Sequence, residues 1–152
     1  MREPIRDKER LEHIVEAIDN IFSFAKGKTV EDLDNEKILF YAVVKNIEII
    51  GEAAFRLTKE FRQQHSETPW SSIVVMRHVL VHDYYQIKSK EVYKVINDDL
   101  QPLRDQIVLY ISETDWETSL TSPPPQSSPS TPTGSWQSFC RLSCGLHESS
   151  YM

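Results

Sequence analysis

Ile38-Leu39-Phe40-Tyr41-Ala42-Val43-Val44-Lys45-Asn46-Ile47-Glu48-Ile49-Ile50-Gly51-Glu52-Ala53-Ala54-Phe55-Arg56-Leu57 is the stretch that decides the fold. Its apolar residues return at steps of three and four, through Ile38, Leu39, Ala42, Val43, Ile47, Ile50, Ala54 and Leu57, and the series continues to Phe61. That is the stripe of a helix, not the alternation of a strand. It predicts one long helix from Asp34 or Asn35 to about Gln64. Gly51 stands inside it, where glycine costs about 1 kcal/mol relative to alanine. It therefore marks a close helix contact or a functional neighbour.

The same period extends outward on both sides. Upstream, Leu11, Ile14, Val15, Ile18, Ile21, Phe22 and Ala25 predict a first helix from about Arg6 to Lys26, closed by Gly27. Thr29-Val30-Glu31-Asp32 then reads as a short turn with acidic residues suited to a helix start. Downstream, polar Gln63 to Glu67 reads as a loop, and Thr68-Pro69-Trp70 restarts the chain with Thr68 as N-cap and Pro69 at the first helical position. This third helix carries Ile73, Val74, Met76 and Leu80 and ends around His82 to Tyr85. Ser89 caps a fourth, whose Val92, Ile96, Leu100, Leu103, Ile107 and Ile111 share one side. Pro102 within it predicts a bend, or two short helices meeting there.

No segment sustains strand alternation, so the fold class is all-α. Short joining loops favour an antiparallel four- to five-helix up-and-down bundle over residues 1–112. Composition then changes. Thr121 to Gly134 is almost entirely Ser, Thr, Pro and Gln, which predicts a disordered tail over 113–152. Cys140-x3-Cys144-x2-His147 has the outline of a metal clip without a fourth ligand, and the two cysteines imply no disulfide framework.

The 152 residues fit one domain, and the net charge of -6 argues against polyanion binding by the whole surface. A site acting on nucleic acid must draw on local positive charge. No apolar run approaches the roughly 20 residues of a membrane span, and Met1-Arg2-Glu3-Pro4-Ile5-Arg6-Asp7 carries charge where a signal peptide needs apolar residues. The expectation is a cytoplasmic protein without membrane contact.

Chemistry concentrates in Met76-Arg77-His78-Val79-Leu80-Val81-His82-Asp83-Tyr84-Tyr85. It contains Arg-x4-His-x-Tyr, from Arg77 through His82 to Tyr84. At about 100° per residue, Arg77 and His82 stand about 140° apart on a regular helix and cannot converge on one target. Either the helix unwinds near His82, or two copies of the segment meet across a two-fold axis. Cleaving RNA requires a base for the 2′-hydroxyl, an acid for the departing 5′-oxygen and a cation for the charge on phosphorus. Histidine titrates near neutral pH and serves as either acid or base, while arginine stays charged and matches phosphate oxygens. The plain alternative is an arginine in a surface ion pair near Asp83 and a histidine capping a helix C-terminus.

The pattern resembles the Arg-x4-His-x-Tyr signature of the HepT-like branch of the HEPN superfamily. Asn46-Ile47-Glu48-Ile49-Ile50-Gly51-Glu52-Ala53-Ala54 is similar to that family's helix ending in Gly-Glu. Thr68-Pro69-Trp70 is similar to its Pro-Trp entry into the motif helix, and Val95-Ile96-Asn97-Asp98-Asp99-Leu100-Gln101-Pro102-Leu103 to its last helix. The resemblance covers about Arg6 to Ser112, in order, and omits the tail. It implies the toxin of a type VII toxin–antitoxin system, a metal-independent endoribonuclease without cofactor, active as a homodimer with the motif at the interface. The implied partner is a nucleotidyltransferase antitoxin that AMPylates the motif tyrosine.

Carried over by position, Arg77 and His82 are catalytic and Tyr84 is the modified residue. An added AMP would place bulk and negative charge where an RNA phosphate must bind. The family most often has Asn after the arginine, and this chain has His78. His78 and His82 share a helix face, a spacing known from metal sites, and Asp83 could add a carboxylate, but no third strong ligand is evident. His78 is expected instead to orient the phosphate or carry a spare proton. Glu52 could steady Arg77 from the facing helix; Tyr85 is read as packing and Trp70 as a core anchor. Two other readings stand beside the toxin: a noncatalytic HEPN adaptor that binds a nucleotide or RNA with these residues, and a dimeric bundle that only pairs with its nucleotidyltransferase.

Overall fold

A computed structural model of the chain describes residues 4–116. The expected tail and its Cys140, Cys144 and His147 lie outside them. Among the described residues there is no strand. Helix α1 spans Pro4–Ala25, α2 Val30–Asn35, α3 Lys37–Arg56, α4 Lys59–Gln64, α5 Trp70–His82, α6 Ser89–Lys94 and α7 Leu100–Glu113. A single 3-10 turn, Tyr84–Gln86, follows α5, and a π-helical stretch, Val95–Asp99, joins α6 to α7 without a break.

Helix α3 packs against α1 on one side and α5 on the other, and α1 also packs on α7. Asp7 of α1 binds Thr58, just past the end of α3, while Asn20 of α1 binds Asn46 in its middle. One helix therefore advances as the other retreats, and the pair is antiparallel. The core is the predicted stripes brought together: Leu11, Ile14, Ile18 and Ile21 of α1 meet Val43, Ile47, Ile50 and Ala54 of α3, all without exposed surface. Each such Leu, Ile or Val side chain contributes about 1.5–3 kcal/mol on burial. The predicted all-α bundle is the observed one.

The differences from expectation are local and have physical causes. The predicted 34–64 helix breaks after Arg56. Thr58 adopts extended backbone, and its side chain accepts from the Phe61 amide, capping α4. Asp7 holds that break open by accepting from both the Thr58 amide and its hydroxyl. At the other end Ile38 is 87% exposed, so the stripe begins at Leu39.

Thr68 does not cap α5. Pro69 occupies the cap position, and the Thr68 hydroxyl lies 2.8 Å from Gln106 Oε1 and 2.6 Å from the Tyr110 hydroxyl, tying α5 to α7. Pro102 lies in the first turn of α7, three residues past the π stretch, where the Leu100 amide reaches back to the Val95 carbonyl. The widened turn falls where a proline ring would crowd the carbonyl four residues earlier. Gly27 ends the α1 turn at φ +72°, as a C-terminal glycine does.

A cluster of rings, buried at Phe61, Trp70 and Tyr110 and half-buried at His65 and Trp116, links α4, α5 and α7. The His65 ring centroid lies 4.4 Å from that of Phe61 and 4.1 Å from that of Tyr110, and Trp116 stacks on Phe61. Trp70 anchors the start of α5, donating to the His65 carbonyl at 2.9 Å. Burial pushes the Tyr110 phenol up, so it stays protonated and donates to Glu67. Burial holds the His65 imidazole below its ordinary value, against the opposing pull of Glu67. The unfolded chain therefore binds a proton that the folded chain resists, so stability is full above about pH 6.5, the ordinary histidine value, and falls as pH drops through it. Thermal melts from neutral to mildly acid pH are expected to show that decline, and His65→Phe, which keeps the ring stack, to flatten it. An unchanged slope in the variant would refute the assignment.

Candidate active site

The site is organised by one close approach. A Cβ built on Gly51 of α3 would lie 2.3 Å from Arg77 Cβ and 3.2 Å from Arg77 Cα, both on α5. Only a glycine lets the two helices come this near, and the next residue, Glu52, is thereby brought beside Arg77. Gly51→Ala is expected to lower stability by about 1–3 kcal/mol, the usual cost of overpacking, because the obstacle is backbone and first side-chain carbon. Chemical denaturation measures it; an unchanged midpoint would show that the helices can part freely.

Glu52 bridges two cations. Arg56 Nε donates to Oε1 at 2.6 Å, and Arg77 Nε lies 2.5 Å from Oε2 as an ion pair rather than an aligned hydrogen bond. The Arg56 hydrogen bond, then the charges of Arg77 and Arg56, hold the Glu52 carboxyl below the usual carboxylate range against its partial burial. The Arg77 guanidinium also lies 5.8 Å from the centre of the Phe55 ring. Its position is thus fixed from α3, which a reading of the motif alone does not reveal.

Helix α5 remains regular through His82 and is closed at Asp83, whose amide donates to the Val79 carbonyl at 2.8 Å. Unwinding before His82 does not occur. Within one chain Arg77 turns toward α3, while exposed His82 stands beside half-buried His78, ring centroids 4.4 Å apart. Asp83 is buried, and Tyr84 opens the 3-10 turn. Tyr85, read as packing, is 69% exposed within the single chain, because the turn carries it outward. No group of three or more metal-ligating side chains is found among the described residues.

Exposed apolar residues border these groups. Phe55 meets Arg77, Val81 is one helical turn further along α5, and Tyr85 is one more turn beyond; Ile49 lines the cavity that Arg77 also lines. That cavity, about 380 Å3, lies over α3 between α1 and α5. It brings in Arg10 and His13 of α1, which no motif marks, because α1 is legible in the sequence only as an apolar stripe.

A family model described as ribonuclease HepT-like matches residues 14–109. The chain belongs to the HepT-like ribonuclease family. It is 36% identical to a Caldanaerobacter subterraneus subsp. tengcongensis protein provisionally named an RNase, over 64% of this chain and 87% of that one. It is 34% identical to a Thermococcus cleftensis protein named a probable ribonuclease HepT, over 64% of this chain and 88% of that one. A Methanocaldococcus jannaschii protein named for both gamma-glutamylcyclotransferase and RNase is 35% identical over 69% of this chain, which spans about half (47%) of that longer protein. No solved structure matches the chain. The HepT-like match runs from α1 into α7 and so takes in the whole Glu52–Arg77 arrangement. No helix among the described residues is long and apolar enough to cross a membrane.

Proposed function

We propose that this HepT-like chain is a metal-independent endoribonuclease, active as a homodimer whose α5 segments meet. The observation that carries this reading is the regularity of α5 through His82 beside an exposed apolar border. One chain keeps Arg77 and His82 about 140° apart on the helix. Two-fold pairing of the Phe55, Val81 and Tyr85 face buries apolar surface and sets Arg77 of one copy against His82 of the other.

The chemistry is a transesterification. One His82 takes the proton of the ribose 2′-hydroxyl as its oxygen forms a bond to phosphorus. The bond from phosphorus to the 5′-oxygen breaks, and the second His82, protonated, supplies the proton to that oxygen. The products are a 2′,3′-cyclic phosphate and a 5′-hydroxyl. Arg77, held by Glu52, neutralises the charge that builds on the phosphoryl oxygens. His78 orients the phosphate or relays a proton, and Asp83 caps the helix end on which His82 sits.

The biological role that fits is the toxin of a type VII toxin–antitoxin pair in the cytoplasm. A nucleotidyltransferase partner would silence it by AMPylation of Tyr84, which follows His82 by two residues. Purified protein incubated with single-stranded RNA is expected to yield cyclic-phosphate ends. Co-expression with a nucleotidyltransferase encoded beside it is expected to add AMP mass to the Tyr84 peptide and stop cleavage. Saturable RNA or nucleotide binding with no cleavage would instead indicate the noncatalytic adaptor.

A further inference from the structure

We propose that Arg10 and His13 of α1 form a subsite for the RNA phosphate adjoining the scissile one. The proposal rests on the ribonuclease reading and extends it to a helix outside the motif. Helix α1 carries both residues one turn apart, and they line the same cavity as Arg77. Its volume, about 380 Å3, falls in the range of small-ligand sites. With α1 on one wall, Arg77 on the other and α3 as the floor, the cavity is suited to a single nucleotide. Cations on opposite walls would then hold successive phosphates.

The charge arrangement singles out Arg10. Glu48 pairs with Lys45 at 3.3 Å, and Glu52 is shared by Arg56 and Arg77. Both carboxylates of the cavity are thus engaged on α3 and α5. Arg10 pairs with neither, and its Nε, shielded from solvent, has no hydrogen-bond partner among the described residues. A guanidinium left in this state binds an incoming phosphate without first breaking an ion pair. Ile49 and Ala53 supply apolar floor for the ribose or base. On a chain of net charge -6, this cavity supplies the local positive charge that a polyanion requires.

The test uses the full chain and a single-stranded RNA made uncleavable by 2′-O-methylation, with affinity followed by fluorescence anisotropy across a salt series. Arg10→Gln is expected to weaken binding roughly ten-fold, as loss of a charge-assisted contact does. It should also reduce the steepness of the salt dependence by about 0.7, the share of one single-strand phosphate. Arg10→Lys should keep the steepness, His13→Gln should weaken binding less than Arg10→Gln, and Lys94→Gln, on exposed α6 surface, should change neither quantity. With cleavable RNA, Arg10→Gln should raise KM more than it lowers kcat.

Wild-type cleavage combined with unchanged affinity and salt dependence in Arg10→Gln overturns the subsite and leaves the ribonuclease reading intact. Arg10-dependent binding with no cleavage by the wild type overturns the ribonuclease reading and leaves the subsite. Failure of the wild type to bind the uncleavable RNA at all overturns the subsite.

Discussion

His82→Ala is expected to lower RNA cleavage by about a thousand-fold or more, since loss of a positioned acid–base group costs 10²–10⁴-fold. In a homodimer one substitution removes the base and the acid together, which places the effect toward the upper end. His82 is exposed, so its replacement leaves the core packing untouched and the melting temperature nearly unchanged. Arg77→Ala should cost a comparable factor for a different reason. It removes the cation that meets the developing phosphoryl charge and leaves Glu52, with Arg56 as its remaining partner, facing the phosphate. Arg77→Lys should recover only part of the loss, because an ammonium keeps the charge but not the fork geometry. Cleavage of a labelled oligonucleotide under single-turnover conditions measures all three; near-wild-type rates for either alanine variant would refute the assignment.

Val81→Glu is the second large effect. Val81 lies one turn from Arg77 on the exposed face of α5, between Phe55 and Tyr85, and in the proposed dimer it is buried. A carboxylate there would have to be desolvated without a partner, a cost of several kcal/mol that a pair of modest apolar faces cannot offset. The variant should sediment as a folded monomer and cleave no better than His82→Ala. Because association follows mass action, activity should return in part at high protein concentration. A monomeric variant with full activity would show that each chain holds a complete site.

Much of the architecture is legible in the sequence. The stripes of α1, α3 and α7 needed only their three- and four-residue spacing, and the helical cost of Gly51 marked either a close contact or a functional neighbour, of which the approach to Arg77 is the first. The break at Arg56 was not legible, since it depends on Asp7, fifty-one residues from Thr58 in the chain. Thr68 carried every local mark of an N-cap, yet its hydroxyl serves Gln106 and Tyr110 across the bundle. At the site, the motif gave Arg77, His82 and Tyr84, and Gly51-Glu52 gave the carboxylate. What the motif could not give was the direction of Arg77, which is set by Glu52 and Phe55 on another helix, or the arrival of Arg10 and His13 in the same cavity. Residues that act through tertiary neighbours leave little trace in a local pattern.

The central claim is that one working site draws on both copies of α5 and takes His82 from each, and mixing wild type with an inactive variant tests it directly. Equal amounts of wild-type and His82→Ala protein, unfolded and refolded together, should show about a quarter of the cleavage of the same total amount of wild type. Only about a quarter of the resulting two-fold dimers then hold both His82 side chains. Cleavage at about half of the wild-type level, as expected if each chain brought its own complete site, would contradict the shared site.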